Sequence, residues 1–228
     1  YSSIFFLLDK YIYCLLEIFK IYFKSNYIEI MSSPNLFFPT PVWVSHLENY
    51  TEVNDEIYSY IKKIKDMDTK GLIKSNIKGW HSKDFNLKDK SVIKFINHIS
   101  PNINKVLQDM NWDINNQIAK ISNMWAIVNI GGASNARHHH GNSTISAAYY
   151  VRAPENCGEI VFYDPRPAPV YSHPRSNNPN SLNAMVNSVK PIEGGLVLFP
   201  SYLDHSVNPN LSQDERVVVS FNINLILK

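Results

Sequence analysis

The spacing of apolar positions changes about halfway along the chain. Between residues 55 and 67, Ile57, Tyr60, Ile61 and Ile64 recur at three- and four-residue intervals, which predicts one face of a helix with Asn54 as its N-cap. A second helical stretch is expected over residues 90–110, with Val92, Phe95, Ile96 and Ile99 on its face. Pro101 should break or restart it, because proline lacks the backbone donor and crowds the preceding turn. Upstream, Leu36–Val44 (LFFPTPVWV) reads as an extended, edge-type element, since its prolines could not sit in a central strand. The polar stretch Gly71–Asn86, which carries Trp80-His81-Ser82, reads as a loop. From residue 117 onward the period shortens, and β-rich runs are expected at 118–130, 144–152, 158–163, 194–199 and 216–226, separated by Gly, Pro and Asn clusters. Such a pattern describes an antiparallel sandwich or barrel. The expected organisation is therefore α+β and mainly β, with a helical layer over residues 50–115 supporting a β-barrel core over 117–228. The interval Pro165–Ser188, rich in Pro, Ser and Asn, is long for a connection in a compact domain and is a candidate lid.

Composition narrows the function classes. Apolar residues make up 44% of the 228, enough for a sizeable core and against global disorder. The formal charge of +2 offers no electrostatic grip on nucleic acid or on a membrane surface. Two cysteines, Cys14 and Cys157, make neither a thiolate metal site nor a disulfide framework, which fits a reducing cytoplasm. In residues 1–30, Asp9, Lys10, Glu17, Lys20 and Lys24 interrupt the apolar positions. No run there reaches the roughly 18–20 residues that span a bilayer, and no signal-peptide pattern is present. A helix lying on a membrane is one reading of that segment. The abrupt change at Met31-Ser32-Ser33-Pro34 favours another, in which residues 1–30 are an extension upstream of the native start and 31–228 form a single domain. Edge strands would permit a dimer, and no feature of the sequence specifies one.

The candidate chemistry lies in the histidines. In an extended segment residues i and i+2 project to the same side, so His138 and His140 can hold one ion while His139 faces away. Neutral imidazole is a good ligand for iron, zinc or copper. A pair is not a closed site, and His205, just after the apolar run Gly194–Phe199, is the natural third ligand. The alternative is a solvated polar HHH loop with His205 capping a strand end. His173, in the long Pro-rich interval, is expected to be solvent-exposed, and His46, His81 and His98 show no site-like spacing.

Five ordered blocks then carry a resemblance. They are Trp125–Asn129 (WAIVN), His138–Val151 (HHHGNSTISAAYYV), Gly158–Arg166 (GEIVFYDPR), Phe199–Val207 (FPSYLDHSV) and Arg216–Asn222 (RVVVSFN). In these the chain resembles the Fe(II)/2-oxoglutarate-dependent oxygenase superfamily. More narrowly, it resembles a group of such oxygenases from marine bacteria and their phages. The resemblance implies a double-stranded β-helix, the jelly-roll or cupin-like barrel, with N-terminal helices packed against it. It implies Fe(II) at His138, His140 and His205, with 2-oxoglutarate and O2 as cosubstrates. It also implies hydroxylation of a protein side chain, an amino acid or a small metabolite, with release of succinate and CO2.

The superfamily places Asp or Glu where this sequence has His140; the narrower group carries His-x-His. Asp164 is an alternative ligand or a partner behind the ligands, against a simple turn-forming role in its Asp-Pro step. The resemblance gives Arg216, eleven positions after His205, the distal carboxylate of 2-oxoglutarate, and Tyr150 the same carboxylate, against an ordinary place for Tyr150 in the core. Ser220 and Asn222 share the parity of Arg216 and are candidates to line that pocket. Two other functions remain open here: a three-histidine cupin-type dioxygenase or isomerase without 2-oxoglutarate, and a non-catalytic β-sandwich binding module.

Overall fold

A computed structural model describes residues 33–167 and 174–228. The extension at residues 1–30, His173 and the middle of the candidate lid lie outside the described residues. Residues Thr40–Lys228 form one compact unit; residues 33–39, in the other, carry no regular element.

The first strand of that unit, β1 (Trp43–His46), begins after the prolines at 39 and 41 and takes the edge of a six-stranded sheet. Helices α1 (Tyr50–Met67) and α2 (Lys90–Asp109) follow, separated by two short strands, β2 (Asn76–Ile77) and β3 (Trp80–His81). The expected loop at 71–86 is thus partly sheet: β2 pairs with β5 (Ser134–His138), and β3 with β4 (Gln117–Asn129). The remaining strands are β6 (Ile145–Arg152), β7 (Ile160–Tyr163), β8 (Val186–Val189), β9 (Gly195–Pro200), β10 (His205–Val207) and β11 (Arg216–Leu227). The larger sheet runs β1-β9-β6-β11-β4-β3 and the smaller β2-β5-β10-β7-β8, with all pairings antiparallel. Two facing antiparallel sheets of this order make the jelly-roll barrel expected from the resemblance.

Period-two alternation gives the large sheet two different faces. On one, Met124, Ala126 and Val128 of β4, Ala147, Tyr149 and Val151 of β6, and Val217, Val219 and Phe221 of β11 pack against the helices. The helices contribute Ile57 and Ile61 of α1 and Phe95, Ile99 and Ile103 of α2, all buried. On the other face, Ala148, Tyr150, Val197, Phe199 and Val218 meet Ile160 and Phe162 of the small sheet inside the barrel.

Three expectations are corrected here. Asn54 is not an N-cap; Asn49, in a left-handed conformation (φ 52°), precedes α1 without a side-chain cap bond. Asn54 is instead fully buried, donating to the Val151 carbonyl at 3.0 Å and accepting from the Tyr149 hydroxyl at 2.6 Å. Pro101 does not interrupt α2, because Phe95 and Ile99 before it and Ile103 and Val106 after it are buried in one core while Pro101 itself faces outward. Burial of a continuous apolar face outweighs the local cost of one proline. Finally, the long interval ends in β8, whose residues 186–189 pair with β7.

Asn54 joins α1 to the central strand β6 through both ends of its amide. Replacing it with alanine leaves a buried hydroxyl and a buried carbonyl without their partner, a loss of about 1–3 kcal/mol. Urea denaturation of N54A should show that loss; a variant as stable as the parent would mean that apolar contact alone docks the helix.

Candidate metal centre and cosubstrate pocket

Strands β5 and β10 run side by side with His205 directly opposite His138. His140 lies two residues beyond His138, held by its backbone N–H on the Ser201 carbonyl at 2.9 Å. The extended path turns the rings of 138 and 140 inward and that of 139 outward, as alternation requires. The ring centroids are 5.3 Å apart for His138–His140, 4.3 Å for His138–His205 and 5.2 Å for His140–His205. One ligating atom from each lies within 4.8 Å of the others. No other such group of three occurs among the described residues.

The hydrogen bonds fix the tautomers. His138 Nδ1 is 2.7 Å from the Ala136 carbonyl, and His205 Nδ1 is 3.0 Å from the Leu203 carbonyl. A carbonyl only accepts, so each ring carries its proton on Nδ1 and keeps the Nε2 lone pair free. His140 Nδ1 lies 2.6 Å from Asn222 Oδ1, with the same consequence. Burial lowers the pKa of His138 and His140, and burial followed by the neighbouring His138 brings His205 to about 3. Three neutral imidazoles offering lone pairs to one space fit a divalent transition metal.

The outward residues between the ligands have a task of their own. Arg137 Nε donates to Asp204 Oδ2 at 2.9 Å, its Nη2 forms an ion pair with the same oxygen at 2.8 Å, and His139 Nδ1 lies 3.1 Å from Asp204 Oδ1. Asp204 immediately precedes His205. Residues 137 and 139 therefore clamp one ligand strand to the other from outside while 138 and 140 face in. The Arg137 guanidinium also covers the Tyr163 ring at 4.1 Å.

The three imidazoles open on a cavity of about 840 Å3 that Arg216, Tyr150, Ser220 and Asn222 also line. Arg216, the first residue of β11, is 1% exposed. Its Nη1 donates to the Cys157, Gly158 and Asn208 carbonyls, the last two at 2.9 and 3.3 Å, while Nη2 has no partner. Gly158 makes this cradle possible: at φ +88° a side chain would meet the Asn208 carbonyl at 2.2 Å and Arg216 Nη1 at 2.8 Å. Half of a buried guanidinium fork is thus held by backbone and half is left over on a cavity wall. Burial pushes the Tyr150 hydroxyl far above its ordinary pKa, so it stays a protonated donor.

Not every expected residue takes its expected place. Asp164 accepts from Arg166 at Nε (3.0 Å), Nη2 (2.8 Å) and the backbone N–H (2.9 Å), which is the turn-forming arrangement, and it is not in the histidine cluster. Asn222 lines the cavity, and its amide also lies behind His140. Ser220, 8% exposed, does line the cavity. His81 and Trp125 were missed as site residues. The His81 ring stacks on Trp125 at 5.7 Å with 10° between planes, and Trp125 stands 5.7 Å from His140. Only the pairing of β3 with β4 brings His81 there, and its place in a polar stretch gave no spacing signal.

Residues 123–222, which hold every one of these barrel residues except His81, match the family model described as "Putative 2OG-Fe(II) oxygenase". A Pseudomonas putida prolyl-4-hydroxylase superposes with a TM-score of 0.58 at 11% identity, covering 81% of this chain and 92% of that one. The viral collagen prolyl hydroxylase of Paramecium Bursaria Chlorella virus-1, in its 2OG complex, gives 0.54 at 16%, covering 80% and 94%. The epimerase SnoN from nogalamycin biosynthesis gives 0.59 at 11%, covering 81% and 76%. At such identities these structures speak for the fold. No curated protein matches the sequence. Over residues 123–222 the chain is similar to 2-oxoglutarate/Fe(II)-dependent oxygenases, and its three inward histidines form a group of the kind that holds a metal ion.

The alternation of ring directions makes a sharp prediction. Anaerobic Fe(II) titration should show metal binding weakened by at least about tenfold in H138A, H140A and H205A, the scale on which ligand-site changes act. In H139A it should persist close to the parent level. Equal loss in all four would mean that the segment as a whole, rather than its inward rings, holds the ion.

Proposed function

We propose that this enzyme holds Fe(II) through His138, His140 and His205 and anchors 2-oxoglutarate through Arg216, in order to hydroxylate a C–H bond of a polypeptide side chain, an amino acid or a small metabolite. The observation that carries the reading is the shared cavity, into which three neutral imidazoles and a half-satisfied buried guanidinium both open. When bound, iron and the keto acid supply oxygen activation coupled to decarboxylation, with succinate and CO2 released as the substrate C–H becomes C–OH.

The chain's own residues do the positioning. Arg216 offers a planar pair of donors that suits a carboxylate, and its burial strengthens that contact. Tyr150, protonated and on the adjacent strand, offers one more donor to the same end, and Ser220 lies on the wall between Arg216 and the metal ligands. Ile160, Phe199 and Val218 on the cavity lining keep water from the reacting end. The rim is formed by Leu72, Lys74 and Lys83 from the segment around β2 and β3. That segment is placed to admit and retain a substrate.

Fold neighbours include a prolyl hydroxylase bound to a peptide fragment of hypoxia inducible factor and SnoN bound to nogalamycin RO. Both polypeptide and small-molecule substrates therefore suit this architecture. The near-balanced charge supports such a substrate over nucleic acid. Among the described residues no helix is long and apolar enough to cross a membrane. The free, buried thiol of Cys157 supports a reducing, cytoplasmic setting.

Arg216 separates this function from a cupin-type activity that needs no keto acid. With Fe(II), 2-oxoglutarate and ascorbate, the parent should release succinate even without substrate. R216A should keep its Fe(II) binding and lose about 1.5–3 kcal/mol of 2-oxoglutarate affinity, roughly ten- to a hundredfold, with R216K in between. Turnover in R216A at the parent's KM for 2-oxoglutarate would overturn the assignment.

A further inference from the structure

We infer that Asn222 is a positioning residue for the metal centre: its side-chain oxygen, accepting from His140 Nδ1, sets the tautomer of that ring and so decides whether it can ligate. The inference rests on the reading of His138, His140 and His205 as metal ligands.

Each polar atom used by the Asn222 amide has a direction. Oδ1 accepts from His140 Nδ1 at 2.6 Å and from Ser146 Oγ at 2.8 Å. Nδ2 donates to Asn123 Oδ1 at 3.0 Å. Behind this, Ser146 Oγ is 2.7 Å from Ser201 Oγ, and Ser201 through its carbonyl holds the His140 backbone N–H. Ser146 and Ser201 are fully buried and Asn222 is 7% exposed, which limits the competition from water. The pairing of β11 with β4 slips just after Asn222, a bulge of the kind that re-aims a side chain.

The alternative orientation has a definite chemical consequence. With the amide turned over, Nδ2 would donate to His140 Nδ1, which must then supply a lone pair and leave the proton on Nε2. A ring in that state cannot bind an ion through Nε2. The turned amide would also set Asn222 Oδ1 against Asn123 Oδ1, acceptor against acceptor. The two other ligands use backbone carbonyls, which cannot reverse, for the same task. His140 alone depends on a reversible group, whose turning over would cost the bond to Asn123 as that amide now stands. This places Asn222 at the ligand position where the superfamily at large uses a carboxylate, one shell further out and uncharged.

Co(II) alone is the probe, read both by its dissociation constant and by its visible ligand-field bands under anaerobic conditions. In N222L, of similar volume but without an acceptor, Co(II) should bind about ten- to a hundredfold more weakly, the range for loss of an outer partner of a ligating histidine. N222D, which retains the acceptor, should bind no more weakly than the parent and shift the bands as a charged partner raises the basicity of His140. N222A, which also removes the acceptor but adds no apolar bulk, should weaken Co(II) binding in the same way and serves if N222L does not fold. Parent-like affinity and bands in folded N222L, or in N222A should N222L be unfolded, would overturn the inference and leave the metal site standing. Equal weakening in N222L and N222D would also overturn it, reducing Asn222 to a filler of space. A parent chain that fails to bind Co(II) would instead sink the three-histidine reading itself.

Discussion

The site depends on one strand pairing. The register that sets His205 opposite His138 is made by only three residues of β10. So short a ladder contributes few backbone bonds, and the register needs support from side chains. Asp204 provides it, joined to Arg137 and His139 on the outer side, while the inner side carries the three ligands. Burial raises the pKa of Asp204, but the bonds from Arg137 and then His139 outweigh that and hold it below its ordinary value, so the clamp is ionised at neutral pH. Because the side-chain period is two, a slip of one residue would turn the imidazoles out and the clamp in. The run Arg137-His138-His139-His140 thus encodes an inner and an outer function on alternate residues.

The large sheet applies the same rule on a larger scale. Residues 217, 219 and 221 of β11 belong to the helix-facing core, while 216, 218, 220 and 222 face the cavity. One face is satisfied by apolar contact with the helices, which frees the other to carry polar groups. The same division appears on β6, where Tyr149 bonds Asn54 of α1 and its neighbour Tyr150 points into the barrel. The helices therefore act at a distance on the site, by holding in place the sheet on which Arg216, Ser220 and Asn222 are mounted.

Much of this was legible from residue pattern. The long strands β4, β6 and β11 carry enough alternation or apolar content to be read directly, and the histidine pair with a remote third followed from the two-residue period. What escaped was short or reciprocal. Strands β5 and β10 are defined by partners, and neither has an apolar run to announce it. The proline in α2 was read by its local cost, while the burial that outweighs it comes from a sheet distant in sequence. His81 reaches the site only through the pairing of β3 with β4. Asn54 and Asn222 look like an N-cap and a strand-lining residue until their partners, about a hundred positions away, are known. Polar side chains inside a fold are assigned by their hydrogen bonds, and those are tertiary facts.

A neutral ligand set also changes what the surrounding protein must provide. A two-histidine, one-carboxylate set brings one negative charge to the ion, whereas three imidazoles bring none. Compensation must then come from the cosubstrate or from groups outside the ligands. Around His138, His140 and His205 the contacts are carbonyl oxygens and an amide oxygen, all dipoles with the negative end toward a ring N–H. Asp204, which joins the two strands that carry the histidines, is on the outer face and already neutralised by Arg137. Under the proposed function, a dianionic keto acid would bring negative charge to the centre at one end while its far carboxylate met Arg216. In this arrangement the departure at His140 is consistent with 2-oxoglutarate use: what the ligands withhold in charge, the cosubstrate is suited to supply.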